Sequence, residues 1–340
     1  MSGTIAKRVF LHIGAGKTGT SKIQAALSAL RPDLADSGVF YPLGYGSTDD
    51  QAEKGKVSSG NGVALATWLN PNVAIIPVDK RGQIRSWLQG CIHDAAGRDL
   101  LFSSEVMQSA RPAETAELCK LFVEAGYLPI VIMYVRHALD QAISIYLQHL
   151  KRGFATLRNR DEVTDLGSFL RTHSCGYMAT LRPFAAILPP EQINVRLYDA
   201  EQDALVQRFL KLLSDRTFDI PSPDAILNRS PTAAEQVVFH TLAMRPNGRR
   251  LCILAADLML NRKSSTREQT SVSPADLSVF AARNQRVVNE INSLYLGNTG
   301  TLLLKSDRIA IGEEVAPPDK AVLAAFAECF ALLAERLARP

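Results

Sequence analysis

Lys17, Thr18, Thr20 and Ser21 crowd into a stretch that also holds Gly14, Gly16 and Gly19. One amine and three hydroxyls among glycines suit an oxyanion. Lysine supplies a point charge, hydroxyls supply directed donors, and glycines let backbone N–H groups turn inward. A second set lies downstream, where Arg136 follows the apolar run Pro129–Val135 and Ser144 comes eight positions later. That spacing is about two turns of helix. Arginine holds a phosphate bidentately, and a serine on the same side adds a hydroxyl. Glu105 closes a third apolar run, Leu100-Leu101-Phe102, after Ser103-Ser104.

These residues need elements that bring them together. Val9-Phe10-Leu11 reads as a strand entering the glycine-rich loop, and Ile23, Ala26, Leu27 and Leu30 repeat at helical spacing beyond it. The helix N-terminus then directs a partial positive charge at the loop. Short strands are expected at Val39–Tyr41, Leu100–Phe102 and Ile193–Tyr198, with the most apolar one, Pro129–Val135, at the sheet centre. Amphipathic stretches alternate with them, which is the βαβ signature of a mostly parallel sheet. Arg136 then sits at the carboxyl end of a central strand, where open α/β sheets bind ligands.

Helices are expected over Glu201–Leu213 and, from Pro231 on, as the only regular structure, including Ala233–Met244, Arg250–Leu260, Pro274–Leu296 and Lys320–Leu337. The organisation is read as an α/β core over 1–230 with a helical part over 231–340 packed on it. Two polar stretches, Gly44–Gly62 and Gly153–Cys175, read as loops facing a substrate.

At 340 residues the chain can bury a large core. Its formal net charge of +4 fits an anionic nucleotide and is too slight to argue for nucleic acid. No basic tract carries interleaved aromatics. The five cysteines are scattered, form no C-x-x-C and lack metal spacing, as expected of reduced, buried thiols in a cytoplasmic protein. No apolar run reaches the ~18 residues of a membrane span, and Met1 to Lys7 is too short and polar for a signal peptide. Oligomeric state leaves no sequence signal.

The standard ATP/GTP loop reads G-x-x-x-x-G-K-[ST]. Gly16-Lys17-Thr18 fits its end, but Leu11 stands where its first glycine belongs. The decapeptide His12-Ile13-Gly14-Ala15-Gly16-Lys17-Thr18-Gly19-Thr20-Ser21 instead resembles the 5′-phosphosulfate loop of sulfotransferases that use 3′-phosphoadenosine 5′-phosphosulfate (PAPS). The bacterial branch of that family often reads close to H-I-G-x-x-K-T-G-T-[TS]. Arg136 and Ser144 resemble the family's Arg–Ser pair for the 3′-phosphate, and Gln141 and Tyr146 also suit the bacterial pattern. Ala138 replaces a proline common there, and the R-K-G tripeptide of the cytosolic animal enzymes has no clear counterpart. Val195–Asp199 and Asn228-Arg229-Ser230 are similar to later parts of the family.

The resemblance implies a P-loop-like α/β/α fold and sulfuryl transfer from PAPS, a metal-independent reaction. Gly16, Lys17, Thr18, Gly19, Thr20 and Ser21 would hold the 5′-phosphate, with Lys17 near the bridging oxygen, and Arg136 and Ser144 would hold the 3′-phosphate. Glu105 is the expected base toward a hydroxyl or amine of a small-molecule or glycan acceptor, since several branches place a glutamate there. His12 is the rival base, although its place inside the strand–loop junction suits a hydrogen-bonded core histidine better. Two other functions share these features: a kinase-like P-loop enzyme using ATP–Mg²⁺, disfavoured by the missing glycine and the absence of a Walker B-like aspartate, and a non-catalytic module of the same fold.

Overall fold

The computed structural model describes residues 7–47, 59–72, 75–155, 165–220, 229–261, 271–297, 300–307, 309–312 and 317–337. They group into two compact units, each drawn from separated stretches of chain: Met1–Arg136, Gly176–Ser222 and Val287–Leu302 in the first, His137–Cys175, Pro223–Arg286 and Leu303–Pro340 in the second. The strands are β1 Lys7–His12, β2 Val39–Phe40, β3 Asp99–Ser103, β4 Tyr127–Val135, β5 Ile193–Leu197, β6 Ser271–Val272 and β7 Ala310–Ile311. The helices are α1 Thr20–Ala29, α2 Arg31–Asp36, α3 Val63–Leu69, α4 Arg81–Asp94, α5 Pro112–Glu124, α6 Ala138–Leu150, α7 Leu166–Thr172, α8 Tyr177–Ala185, α9 Tyr198–Glu201, α10 Leu205–Leu213, α11 Ala233–Ala243, α12 Gly248–Met259, α13 Pro274–Ile291 and α14 Asp319–Leu337.

The first unit is built on a five-stranded sheet ordered β2-β3-β1-β4-β5. Every neighbouring pair is parallel. β1 takes the central place expected of β4, which lies one position toward the edge; β1 runs beside β3 from Val9–Leu100 to His12–Ser103, and beside β4 from Lys7–Tyr127 to His12–Ile132. On one face Phe10, Leu101, Ile132 and Tyr134 pack with Ile23 and Leu27 of α1 and Phe209 of α10. On the other, Phe102 meets Trp87 of α4 and Phe122 of α5. Helices therefore cover both faces, and the expected three-layer α/β/α class is the one observed.

α10 shows why: Leu205, Val206, Phe209, Leu210 and Leu213 recur at helical spacing and all are buried. Truncating a fully buried ring such as Phe209 to alanine costs about 3–5 kcal/mol. The carboxyl ends of β1, β3, β4 and β5 lead into the residues of chemical interest: the Gly14–Gly19 loop, Ser104-Glu105, Arg136 and Tyr198-Asp199.

The second unit holds α6, α7, α11, α12, α14, the Pro274–Arg286 part of α13 and the β6–β7 ladder. Within it α11 packs on α12 and α14. The short parallel pairing of Ser271–Val272 with Ala310–Ile311 departs from the expectation of helix alone beyond 231. Two-residue strands carry too little periodicity to be read from sequence.

Two expected helices are also interrupted. The Glu201–Leu213 span divides into α9, a 3₁₀ piece at Gln202–Ala204, and α10. Glu201 is drawn inward there, accepting from Tyr134 Oη at 2.9 Å and from Arg196 Nε at 2.7 Å. α13 ends at Ile291 and the chain continues as a π turn over Asn292–Leu296, where the Asn292 side chain bonds both backbone groups of Leu302.

Candidate active site

The loop after β1 is shaped by its glycines. Gly14 has φ +26°, and a Cβ there would lie 3.0 Å from Thr20 Oγ1 and 3.3 Å from Glu105 Cγ. Glu105 and the start of α1 thus approach one another across Gly14. Gly19 has φ +77°, and a Cβ on it would run into Leu205 and lie 3.0 Å from Tyr198 Cε2. Lys17 also lies in the left-handed region, at φ 73°. An L side chain pays about 1–2 kcal/mol for that conformation, and such residues concentrate where a particular backbone shape is needed for function.

The N-terminus of α1 is open. Its N-cap Gly19 offers no side chain, and no acid occupies its first turn. Lys22 and Ile23 N–H close on the Gly19 carbonyl at 3.0 and 3.1 Å, and the N–H groups ahead of them, at Thr20 and Ser21, have no acceptor within the helix and carry the positive end of the dipole. Thr20 Oγ1 beside them is buried and has no hydrogen-bond partner among the described residues. An unpaired buried hydroxyl is worth about 1–3 kcal/mol to satisfy, so an acceptor atom at this point gains a donor that the protein leaves unused. Ser21 is half-buried in the same turn. Thr18 differs: it is buried, and its hydroxyl donates to the Ala15 carbonyl at 2.6 Å, so its proton shapes the loop.

The start of α6, just after Arg136, is closed by contrast. Ala138 and Leu139 N–H donate to the carbonyls of Leu303 and Leu304 at 3.1 and 2.8 Å. Asp140 in the first turn accepts from Ser306 N–H and Oγ at 3.0 and 2.6 Å, and His137 Nδ1 accepts from Leu303 N–H at 3.1 Å. All these groups belong to the second unit. Of the two helix starts next to candidate residues, α1 is therefore the one suited to an anion.

Glu105 begins a 3₁₀ turn, Glu105–Ser109, capped by Ser104, whose hydroxyl accepts from Val106 N–H at 3.3 Å. Its carboxylate is half-buried, with no hydrogen bond or ion pair among the described residues. Arg136 Nε lies 3.7 Å from Asp199 Oδ1, and its guanidinium stands 5.5 Å from the centre of the Tyr198 ring. Ser144 is half-buried on α6, in the second unit. The structure thus brings Gly14–Ser21 and Glu105 together, sets Arg136 at the end of β4 in the same unit, and puts Ser144 on the other.

His12 is fully buried among Tyr134, Phe209 and Ser103, sharing a hydrogen bond with Ser103 Oγ at 2.8 Å. Burial pushes its pKa down to about 3, so the ring is neutral and serves the core. Arg229 is half-buried, its fork closed on Glu235 at 2.6 and 2.7 Å. All five cysteines are buried, and burial raises their thiols, Cys175 to about 12.

Asn61 carries a role that sequence reasoning missed. It is fully buried, donates to the carbonyls of Pro42 and Leu101 at 3.0 Å each, and accepts from Ser103 N–H at 2.8 Å. Gly62 N–H donates to Ser103 O at 3.1 Å, and a Cβ on Gly60 would strike that same oxygen. The end of the Gly44–Gly62 stretch is thereby pinned to β3 two residues before Glu105. The Gly60-Asn61-Gly62 triplet is the signal that marks it. Residues 48–58 and 156–164, the middles of the two expected substrate-facing loops, lie outside the described residues.

Among the described residues no cluster of three His, Cys, Asp or Glu could hold a metal ion, and no helix is long and apolar enough to cross a membrane. No family model matches the chain, and neither does any curated protein. Among solved structures, the chain is similar to a sulfotransferase from Alicyclobacillus acidocaldarius, at 16% identity over 77% of this chain and 98% of that one, with a TM-score of 0.39. It is also similar to the sulfotransferase domain from the curacin biosynthetic pathway, at 13% identity over 63% of this chain and 76% of that one, with a TM-score of 0.31.

Proposed function

We propose that this chain is a sulfotransferase that moves a sulfuryl group from PAPS to a hydroxyl or amine of an acceptor without a metal. The observation that carries this reading is the open start of α1, with the unpaired Thr20 hydroxyl buried beside it and Lys17 held left-handed in the loop before it. The backbone amides from Gly16 to Ser21 and the Thr20 and Ser21 hydroxyls hold the 5′-phosphate. Thr18 contributes through its N–H and through the loop shape its hydroxyl maintains. Arg136 holds the 3′-phosphate.

In the transfer, the acceptor oxygen or nitrogen forms a bond to sulfur as the bond from sulfur to the bridging oxygen breaks. That oxygen keeps the electron pair and leaves on 3′,5′-ADP, and Lys17 neutralises the charge that develops there. Glu105 takes the acceptor proton; a positioned base contributes roughly 10²–10⁴-fold. The closeness of Glu105 to Gly14 and Thr20 supports this role. The acceptor is a small molecule or a glycan.

Thermal unfolding with 3′,5′-ADP, 5′-AMP and ATP–Mg²⁺, each with and without EDTA, tests the reading. A ligand at about 100 times its Kd adds roughly 2.7 kcal/mol. Stabilisation by 3′,5′-ADP that EDTA leaves unchanged is expected. A shift with ATP–Mg²⁺ alone would point to a kinase-like enzyme, and no shift with any ligand to a non-catalytic module.

A further inference from the structure

We infer that Tyr198 and Asp199, the first two residues of α9, are positioning residues that hold the glycine-rich loop and Arg136 in one fixed geometry. The inference rests on the donor reading above. A ligand with two separated phosphates needs its two anion sites at a set distance, and here those sites are carried by different strands. Loop residues follow β1 and Arg136 follows β4; the sheet pairs these two strands only as far as Ile13 and Ile132, so beyond that point another element must set one against the other. The turn after β5 touches both.

On the loop side, the Tyr198 ring packs against the bare Cα of Gly19, the N-cap of α1. A Cβ there would be 3.0 Å from Tyr198 Cε2, and would also strike Leu205 of α10. On the arginine side, the Arg136 guanidinium lies over the Tyr198 ring at 5.5 Å from its centre, and Asp199 Oδ1 lies 3.7 Å from Arg136 Nε. Asp199 thus meets the guanidinium at its Nε edge and sets the direction of the fork. Sheet register brings the two segments side by side. Tyr134 pairs with Arg196 and Val135 with Leu197, so Arg136 and Tyr198 are the next residues along the two strands.

The turn itself is firmly mounted. Glu201, buried at 3% exposure, accepts from Tyr134 Oη at 2.9 Å and from Arg196 Nε at 2.7 Å. Both donors lie on the strands that lead to Arg136 and Tyr198. The Tyr198 hydroxyl makes no hydrogen bond among the described residues, so the ring is the working part. Asp199 acts through Arg136 and needs no contact with the ligand.

Titration calorimetry on the full chain with 3′,5′-ADP and with 5′-AMP tests this on wild type, Asp199→Asn, Tyr198→Phe and Tyr198→Leu. Misplacing a binding group by about 1 Å costs up to 10²-fold, so a partial loss of about tenfold in the preference for 3′,5′-ADP is expected for Asp199→Asn, with 5′-AMP affinity unchanged. Tyr198→Phe should keep the wild-type preference, and Tyr198→Leu should weaken both ligands because it also frees the loop side. An unchanged or increased preference in Asp199→Asn would overturn the inference. A ligand-free arm separates this from the donor reading: a denaturation double-mutant cycle between Arg136→Ala and Asp199→Asn should be non-additive by about threefold or more in the unfolding constant. Additivity overturns the positioning role. A wild type that binds 5′-AMP as tightly as 3′,5′-ADP overturns the donor reading instead, and the cycle alone then decides the positioning role.

Discussion

Replacing Lys17 by glycine should abolish transfer and yet give a more stable protein than replacing it by alanine. Both substitutions remove the amine, so both lose the charge proposed to meet the leaving oxygen. They differ in the backbone. Lys17 sits at φ 73°, where a residue with a Cβ is strained by about 1–2 kcal/mol. Alanine keeps that strain and glycine relieves it. Glycine in turn loosens the unfolded chain, which costs about 0.4–1 kcal/mol relative to alanine. The difference leaves Lys17→Gly ahead of Lys17→Ala by about 0.8 kcal/mol at the middle of these ranges and about 1.6 kcal/mol at most, the reverse of the order at ordinary sites.

Guanidinium denaturation of both variants measures the stability order, and single-turnover release of 3′,5′-ADP measures transfer. A glycine variant less stable than the alanine variant would refute the left-handed loop. Turnover near wild type in either variant would refute the electrostatic role. If both expectations hold, the loop carries strain at the residue proposed to stabilise the leaving group, a local stability–activity trade-off.

Other outcomes follow from the same geometry. Thr20→Val should leave the unliganded protein as stable or more so, since it removes an unpaired buried hydroxyl. It should also weaken 3′,5′-ADP about 10–100-fold by deleting a hydrogen bond to a charged group; calorimetry that finds unchanged affinity would remove Thr20 from the site. Glu105→Gln should leave 3′,5′-ADP binding intact while slowing transfer by roughly 10²–10⁴-fold, and an unchanged single-turnover rate would remove it as base.

Acidification should also destabilise the fold through His12. Its folded pKa of about 3 lies below the ordinary 6.5, so below pH 6.5 the unfolded chain binds the proton and the folded one does not. Stability then falls with pH by about 1.4 kcal/mol per unit between 6.5 and the folded pKa. Denaturation midpoints across that range should fall less steeply in His12→Asn, which cannot titrate, and equal slopes would contradict a neutral buried ring.

Much of the first unit was legible because its signals are local. A continuous apolar run such as β4 can be satisfied only inside a sheet covered on both faces, and helix spacing after Gly19 follows from the residues themselves. The glycine-rich loop was likewise readable, since glycines, a lysine and hydroxyls between a strand and a helix have few other uses. What the residues could not declare was how each polar group spends its hydrogen bonds. Thr18 and Thr20 look alike in sequence, but one hydroxyl closes on Ala15 and the other is left unpaired, a difference set by where the loop turns.

Long-range contact decided the rest. His12 became a core residue because Phe209 and Tyr134 close over it. Asn61 and Ser103 are far apart in the chain, and only the folded sheet end makes one the hydrogen-bond anchor of the other. The sequence by itself determined the strands of the five-stranded sheet, the amphipathic helices beside them and the chemistry available in the loop, because these depend on neighbours within a few residues. Tertiary structure determined that the start of α1 is open, the start of α6 closed, and that Tyr198 and Asp199 sit against both Gly19 and Arg136, because those facts depend on which distant segments the sheet register brings side by side.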